Sequence, residues 1–344
     1  MRLDLFSVLL ELAELAAKNL LPQIKLTKTY GHLLRIMAKK KSYRFFVYLI
    51  ARGAAFLLML LPRSWALTLA KAAGNLAFML VSRQREKALK SLRLAFGTEK
   101  PEEEIQEIAR GVFQNFAQTA IEILRLPRLS RERLASLVDL GDAVQVYESL
   151  LAEGKGLIAI TAHIGNWELL AGTFGLMGFR GAVIARKIYY DPYNRWIVGL
   201  RKSIAVPTIY REGASREILK VLGRGEIIGM LPDQDIDSLR GVFVNFFGRP
   251  AYTPVAPVRL ALQYGTPILP NFLIRQKDGR YKIILGEVIR TSAGDRSESA
   301  VTEATEKWMR SFEEVIRQYP DQWGWMHDRW KTQVKAKAET LSGL

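Results

Sequence analysis

Few residue types in this chain can carry reactive chemistry. It contains no cysteine and three histidines, His32, His163 and His327, which excludes a disulfide framework, a thiolate zinc site and a cysteine nucleophile. No His-Glu-x-x-His or similar ligand spacing occurs, so no metal site is expected. His163 has the most informative surroundings, following the apolar run Gly156-Leu-Ile-Ala-Ile-Thr within Thr161-Ala-His-Ile-Gly-Asn-Trp-Glu168. Five positions on a helix turn through about 500°, so His163 and Glu168 cannot share a helical face. The spacing works if His163 lies in a loop, Gly165 permits the turn, and Glu168 opens a helix from which its carboxylate reaches back to the imidazole. That is the arrangement of a general base and its acidic partner. A buried loop histidine capped by a carboxylate has the same spacing, and spacing alone does not separate the two.

A His-acid pair works either through a serine nucleophile or by deprotonating an attacking alcohol directly. No Gly-x-Ser-x-Gly elbow occurs, and Ser203, Ser215 and Ser238 lie in polar contexts without a strand-to-helix turn, which disfavours a serine nucleophile. Direct base catalysis needs donors around a developing oxyanion. Candidates are Arg186 at a strand end, Arg201 in the helical stretch that follows, and Arg211 directly after Val206-Pro-Thr-Ile-Tyr. Acidic and amide candidates follow the next strand: Asp233, Gln234 and Asp235.

The elements that must hold these groups are short apolar runs bounded by Gly, Pro and Asp. They begin at Gly156, Gly181, Val206, Ile227, Thr266 and Tyr281, with helical stretches at 193–203 and 214–222 between them. Such runs fit a buried, mostly parallel mixed sheet flanked by helices, and the class is α/β. In open sheets of this kind reactive groups gather at the carboxyl ends of the strands. Helical spacing is also predicted over 101–152, with acids in the first turn after Pro101, and over 300–318.

The net charge of +16 points to an acidic partner. Between Pro22 and Thr98 basic residues recur, among them Lys39-Lys40-Lys41, Arg44, Arg52, Arg63 and Lys71, while Glu86 is the only acid. Apolar runs such as Gly53-Ala-Ala-Phe-Leu-Leu-Met-Leu-Leu alternate with them. A spanning helix needs about 18 to 20 apolar residues, and Arg52, Arg63 and Lys71 interrupt every candidate first. Interfacial helices on an anionic leaflet fit better, each basic residue contributing about 1 kcal/mol. A nucleic-acid partner is not expected, because the bases alternate with aliphatic residues instead of stacking aromatics. The opening stretch from Leu3 reads as an amphipathic helix, and Asp4, Glu11 and Glu14 are out of place in a signal peptide. The organisation expected is a basic, helical membrane-associating region over 1–100, an α/β domain over 101–334 with its chemistry in 153–290, and a polar tail over 335–344.

The order His163…Glu168, Ala205-Val-Pro-Thr-Ile-Tyr-Arg211, Met230-Leu-Pro-Asp-Gln-Asp and Gly265-Thr-Pro-Ile-Leu-Pro resembles the four motif blocks of the glycerolipid acyltransferase superfamily. Within it, Thr161-Ala-His-Ile-Gly-Asn-Trp-Glu, Asp233-Gln-Asp and the ending Tyr319-Pro-Asp-Gln-Trp-Gly-Trp-Met-His-Asp-Arg-Trp are similar to the late acyltransferases of lipid A synthesis. The resemblance implies an enzyme on the cytoplasmic side of the bacterial inner membrane. It would move a fatty acyl chain from acyl carrier protein, or acyl-CoA, to a hydroxyl of a phosphorylated lipid A precursor, with no resident cofactor; the alternatives are another acceptor (a lysophospholipid, an amino lipid or a phosphoinositol mannoside), a lipid hydrolase and a non-catalytic membrane scaffold. It implies His163 as base, Glu168 as its acidic partner, and Asn166, Arg186, Arg201, Arg211, Asp233, Gln234 and Asp235 as substrate-binding residues. Pro232-Asp-Gln-Asp replaces the Pro-Glu-Gly of the glycerol-phosphate branch, which argues against glycerol phosphate as acceptor. The acyl chain needs an apolar groove, for which Phe243, Phe246, Phe247 and Leu260 are candidate linings; ordinary core packing accounts for them equally well.

Overall fold

A computed structural model describes residues 42–295 and 297–334 of the chain. The amphipathic stretch from Leu3, His32, the basic residues before Ser42 and the tail 335–344 lie outside them.

Four helices lead: α1 (Ser42–Leu60), α2 (Arg63–Leu80), α3 (Ser82–Phe96) and α4 (Glu102–Arg125). Glu102, Glu103 and Glu104 occupy the first turn of α4, where unpaired N–H groups favour negative charge. Ile105, Ile108, Val112, Phe113 and Phe116 form its buried stripe. Helix α2 packs against α4 at Gly74, where an added Cβ would stand 2.6 Å from the Gln114 Cα. Only a residue without a side chain lets these backbones approach so closely.

After α5 (Arg131–Leu137) and α6 (Ala143–Ala152), strands and helices alternate. The strands are β1 (Val138–Asp139), β2 (Leu157–Ile160), β3 (Gly181–Ala185), β4 (Thr208–Tyr210), β5 (Ile227–Met230), β8 (Ile268–Arg275) and β9 (Tyr281–Leu285). They form one seven-stranded sheet in the order β1-β9-β8-β2-β5-β3-β4. Every neighbouring pair is parallel except β8 with β9. All of β2 and all but the last residue of β8 are buried, as continuous apolar strands covered on both faces must be. The covering helices are α7 (Trp167–Leu176), α8 (Asp191–Lys202), α9 (Ser215–Gly223), α10 (Ala256–Tyr264) and α11 (Glu298–Gln318). The α/β class and the mostly parallel mixed sheet match the expectation.

The antiparallel hairpin of β6 (Gly241–Phe246) and β7 (Arg249–Pro254) does not. Its two-residue turn, Phe247-Gly248, has φ of +52° and +69°, the primed-turn geometry usually marked by Asn-Gly. Phenylalanine at the first position hides that signal. Its ring is buried in the core, and its N–H donates to Glu313 Oε2 at 2.7 Å. Phe246 and Phe247 are therefore core residues rather than groove lining, whereas Leu260 does face the large cavity described below.

Helices α1 and α2 keep many large apolar side chains exposed, including Leu49, Ile50, Phe56, Trp65, Leu69 and Met79. Among the described residues no single helix is long and apolar enough to cross a membrane, and only α2 with α3 pass together, as a pair bent by 90°.

Candidate active site

The loop after β2 is fixed on two sides. Gly165 has φ +57°, and a Cβ there would lie 2.0 Å from the Leu273 carbonyl oxygen, so the backbone can run against β8 only with glycine. The Gly165 N–H donates to the Gln322 carbonyl at 3.1 Å, and the Asn166 N–H to the Leu273 carbonyl at 3.0 Å. The Gly324 N–H donates back to the His163 carbonyl at 3.0 Å, and Ile164 bridges Trp323. His163 is thus held at the carboxyl end of the central strand by β8 and by the C-terminal segment.

Its carboxylate partner is Asp233. Nδ1 of His163 lies 2.7 Å from Asp233 Oδ1, and the His163 backbone N–H donates to Oδ2 at 2.8 Å. The Trp323 indole N–H donates to the same Oδ2 at 2.9 Å. Burial pushes the Asp233 carboxyl upward, but the His163 charge and these hydrogen bonds outweigh it and hold the group well below the usual carboxylate range. A carboxylate on Nδ1 fixes the tautomer with the proton on Nδ1 and the lone pair on Nε2.

The expected pairing of Glu168 with His163 is corrected by the structure. Glu168 lies in the first turn of α7 and faces α8, where Arg201 takes both its oxygens, Nε at 2.8 Å and Nη2 at 2.5 Å. Two further expectations change. Asn166 is fully buried: its Oδ1 accepts the Leu169 N–H at 3.0 Å as the N-cap of α7, and its amide donates to Glu122 Oε2 at 3.2 Å. It is a structural residue, held in a buried cluster of Glu122, Arg63, Arg275 and Tyr281. Asp235 is buried too, and it accepts the Thr332 N–H at 2.8 Å and hydroxyl at 2.7 Å. That clamps the C-terminal segment rather than a substrate. Asp233 likewise faces the imidazole instead of the cavity.

The remaining candidates converge. A cavity of about 550 Å³ opens at the carboxyl ends of β2, β3, β4 and β5, and His163, Glu168, Arg186, Arg201, Arg211 and Gln234 line it. Ile184, Ile197, Met230, Leu231, Ile236 and Leu260 supply much of its apolar wall. Arg186 is exposed, while Arg211 is half-buried and bonded to Glu212 at 3.0 Å. A second cavity of about 80 Å³, between α7 and the sheet, shares Trp167, Ala171, Val183, Met230 and Leu231 with the first. Among the described residues no group of His, Asp and Glu could hold a metal ion.

Sequence reasoning missed His327, whose Nε2 lies 2.9 Å from the Gln234 amide nitrogen and whose ring centroid is 5.3 Å from that of His163. It sits in a tryptophan-rich segment, and no local pattern joins it to a residue so distant in sequence.

An imidazole poised with a buried carboxylate at the mouth of a cationic, partly apolar cavity suits proton removal from an alcohol beside an anionic group. Comparison with known proteins bears on the class of reaction. The bacterial lipid A biosynthesis acyltransferase profile matches residues 36–332. A phosphatidylinositol mannoside acyltransferase of Mycolicibacterium smegmatis is 26% identical over 229 residues, 65% of this chain and 72% of that protein. The lipid A biosynthesis lauroyltransferase of Escherichia coli K12 is 23% identical over 295 residues, 84% of this chain and 92% of its own length. The palmitoleoyltransferase of the same organism is 21% identical over 317 residues, 90% and 96% of the two chains. With the profile spanning most of its length, the chain belongs to the bacterial lipid A biosynthesis acyltransferase family and is an acyltransferase.

Proposed function

We propose that the chain transfers a fatty acyl group from an acyl thioester to a hydroxyl of a phosphorylated lipid A precursor at the cytoplasmic face of the bacterial inner membrane. The observation that carries this reading is the His163–Asp233 pair opening onto a cavity that also holds Arg186, Arg201 and Arg211. Nε2 of His163 takes the proton of the acceptor hydroxyl, and the freed oxygen attacks the thioester carbonyl. The C–S bond then breaks, and the leaving thiolate takes the proton back from the imidazolium. Asp233 orients the ring and balances its charge, so no covalent enzyme intermediate is required. Arginine suits the acceptor phosphate because its fork of donors pairs with two oxygens at once. Arg201 is held in a nearly buried pair with Glu168, whereas Arg186 is exposed and the Glu212 partner of Arg211 is exposed enough to be displaced, so Arg186 and Arg211 are the main phosphate contacts.

The donor is acyl carrier protein or acyl-CoA. Both are acidic, and the chain's charge of +16 favours their approach. The apolar wall of the large cavity receives the acyl chain, and the small cavity beyond Ala171 extends it. The exposed apolar faces of α1 and α2, beside basic residues such as Arg52 and Lys71, suit the surface of an anionic leaflet.

A second acceptor, a phosphatidylinositol mannoside, is favoured by the 26% identical relative with that activity. Lipid mass spectra of a strain lacking the gene, with and without the complementing gene, separate the two. Loss of one acyl chain from lipid A supports the first acceptor, and loss from a mannosylated phosphoinositide supports the second. Free fatty acid as the main product of the purified enzyme, with acceptor present, would instead make it a hydrolase and reject transfer.

A further inference from the structure

His327 has no part in the mechanism above, yet it touches the base through one intermediary. The Gln234 amide nitrogen lies 2.9 Å from His327 Nε2, 3.2 Å from His163 Nε2 and 3.3 Å from His163 Nδ1. Nearly equal distances to both ring nitrogens place that amide on the plane bisecting them. Within the ring plane this line runs out through the Cε1–H, where a nitrogen at these distances would collide with the carbon. The amide therefore sits over the face of the His163 ring, and the in-plane lone pair of Nε2 stays open to the cavity. Trp167 is also against the ring, with centroids 5.2 Å apart and planes at 62°.

An amide nitrogen donates and does not accept, so His327 Nε2 must be the acceptor in the 2.9 Å contact. We propose that His327 is a positioning residue for acyl transfer: by accepting the Gln234 N–H, it keeps the donor side of that amide, rather than its carbonyl, against the base. A carbonyl oxygen turned onto the ring would stabilise the protonated imidazole and take the base out of action. With N–H groups there instead, the unprotonated form is favoured. This role requires His327 to stay unprotonated while the enzyme works. Desolvation of its half-buried ring, together with the charge of His163, pushes it down to about 3. The charged groups that act on it are His163, Asp233 and, from α3, Lys87, while the Ser91 hydroxyl donates to its carbonyl at 3.3 Å.

The inference rests on His163 being the base, and two measurements keep the two ideas apart. The first is the pH dependence of kcat/KM for wild type, His327→Ala, His327→Asn and Gln234→Glu in the full-length, detergent-solubilised enzyme. In His327→Ala and Gln234→Glu the acid limb should move up by about one pH unit, a tenfold loss on the acid side, with activity recovered at higher pH. His327→Asn, whose carbonyl can accept the same N–H, should lie nearer wild type. An unmoved limb in both shifted variants, or an equal loss at every pH, overturns the proposal. If His163→Ala is inactive in the same assay, that failure leaves the base assignment standing. The second uses wild-type protein carrying 15N-histidine, whose spectrum holds only three imidazoles. His327 should remain the neutral Nδ1–H tautomer down to pH 5, and titration of it between pH 5 and 8 contradicts the role.

Discussion

Asp233 holds His163 twice, through the backbone N–H at 2.8 Å and through Nδ1 at 2.7 Å. One carboxylate thereby sets both the position of the loop and the orientation of the ring. Asp233→Asn is expected to lower acyl transfer by about 10²- to 10⁴-fold with little change in KM, because the amide can invert the tautomer of the base. Glu168→Gln should behave differently. It leaves Arg201 without its carboxylate at the cavity wall, so KM should change more than kcat. Steady-state kinetics of the two variants side by side distinguish the partners.

The buried cluster around Glu122 gives a prediction about stability. Burial pushes Glu122 up, but the Arg275 and Arg63 guanidiniums outweigh it and hold the carboxyl below its ordinary 4.5. A depressed carboxylate contributes stability that is present above its unfolded value and is lost as pH falls through the native one. Glu122→Gln should therefore cost about 3–5 kcal/mol at pH 7, where it strands Arg275. The gap in Tm from wild type should narrow as pH falls below the ordinary 4.5 and close once the native carboxyl is itself protonated. Thermal unfolding from pH 7 to pH 3 measures it.

Ala171 lies on the wall shared by the two cavities. Ala171→Phe is expected to block the passage and shift the preference toward shorter donors. Each methylene denied burial should cost about 0.8 kcal/mol, roughly fourfold in kcat/KM. A series of acyl thioesters of increasing length tests this, and an unchanged preference would place the chain elsewhere.

Leu76 and Met79 are exposed on α2. The double change Leu76→Asp and Met79→Asp should weaken binding to anionic vesicles at least about tenfold, from the loss of two apolar contacts and the addition of two like charges. Flotation with vesicles reads the effect, and circular dichroism checks that the helices remain.

The sheet was legible because its strands are continuous apolar runs, and His163 stood out because it directly follows the run ending in Thr161. The identity of its partner was not legible. Glu168 is near in sequence, but the start of α7 turns it toward Arg201, while Asp233 comes from the end of the neighbouring strand, β5. Asn166 carried a readable signal, an N-cap residue directly before a helix, which its place between two reactive candidates obscured. His327 and the hairpin at Phe247-Gly248 depend on long-range contacts, with Gln234 and with Glu313, that no local periodicity displays.

In the proposed reaction the imidazole of His163 removes the acceptor's proton. The most direct measurement is the single-turnover rate of acyl transfer by purified His163→Ala, shown by circular dichroism and thermal unfolding to be folded. A fall of about 10³-fold or more, with acceptor binding retained, is the result predicted. Turnover within a few fold of wild type would contradict it.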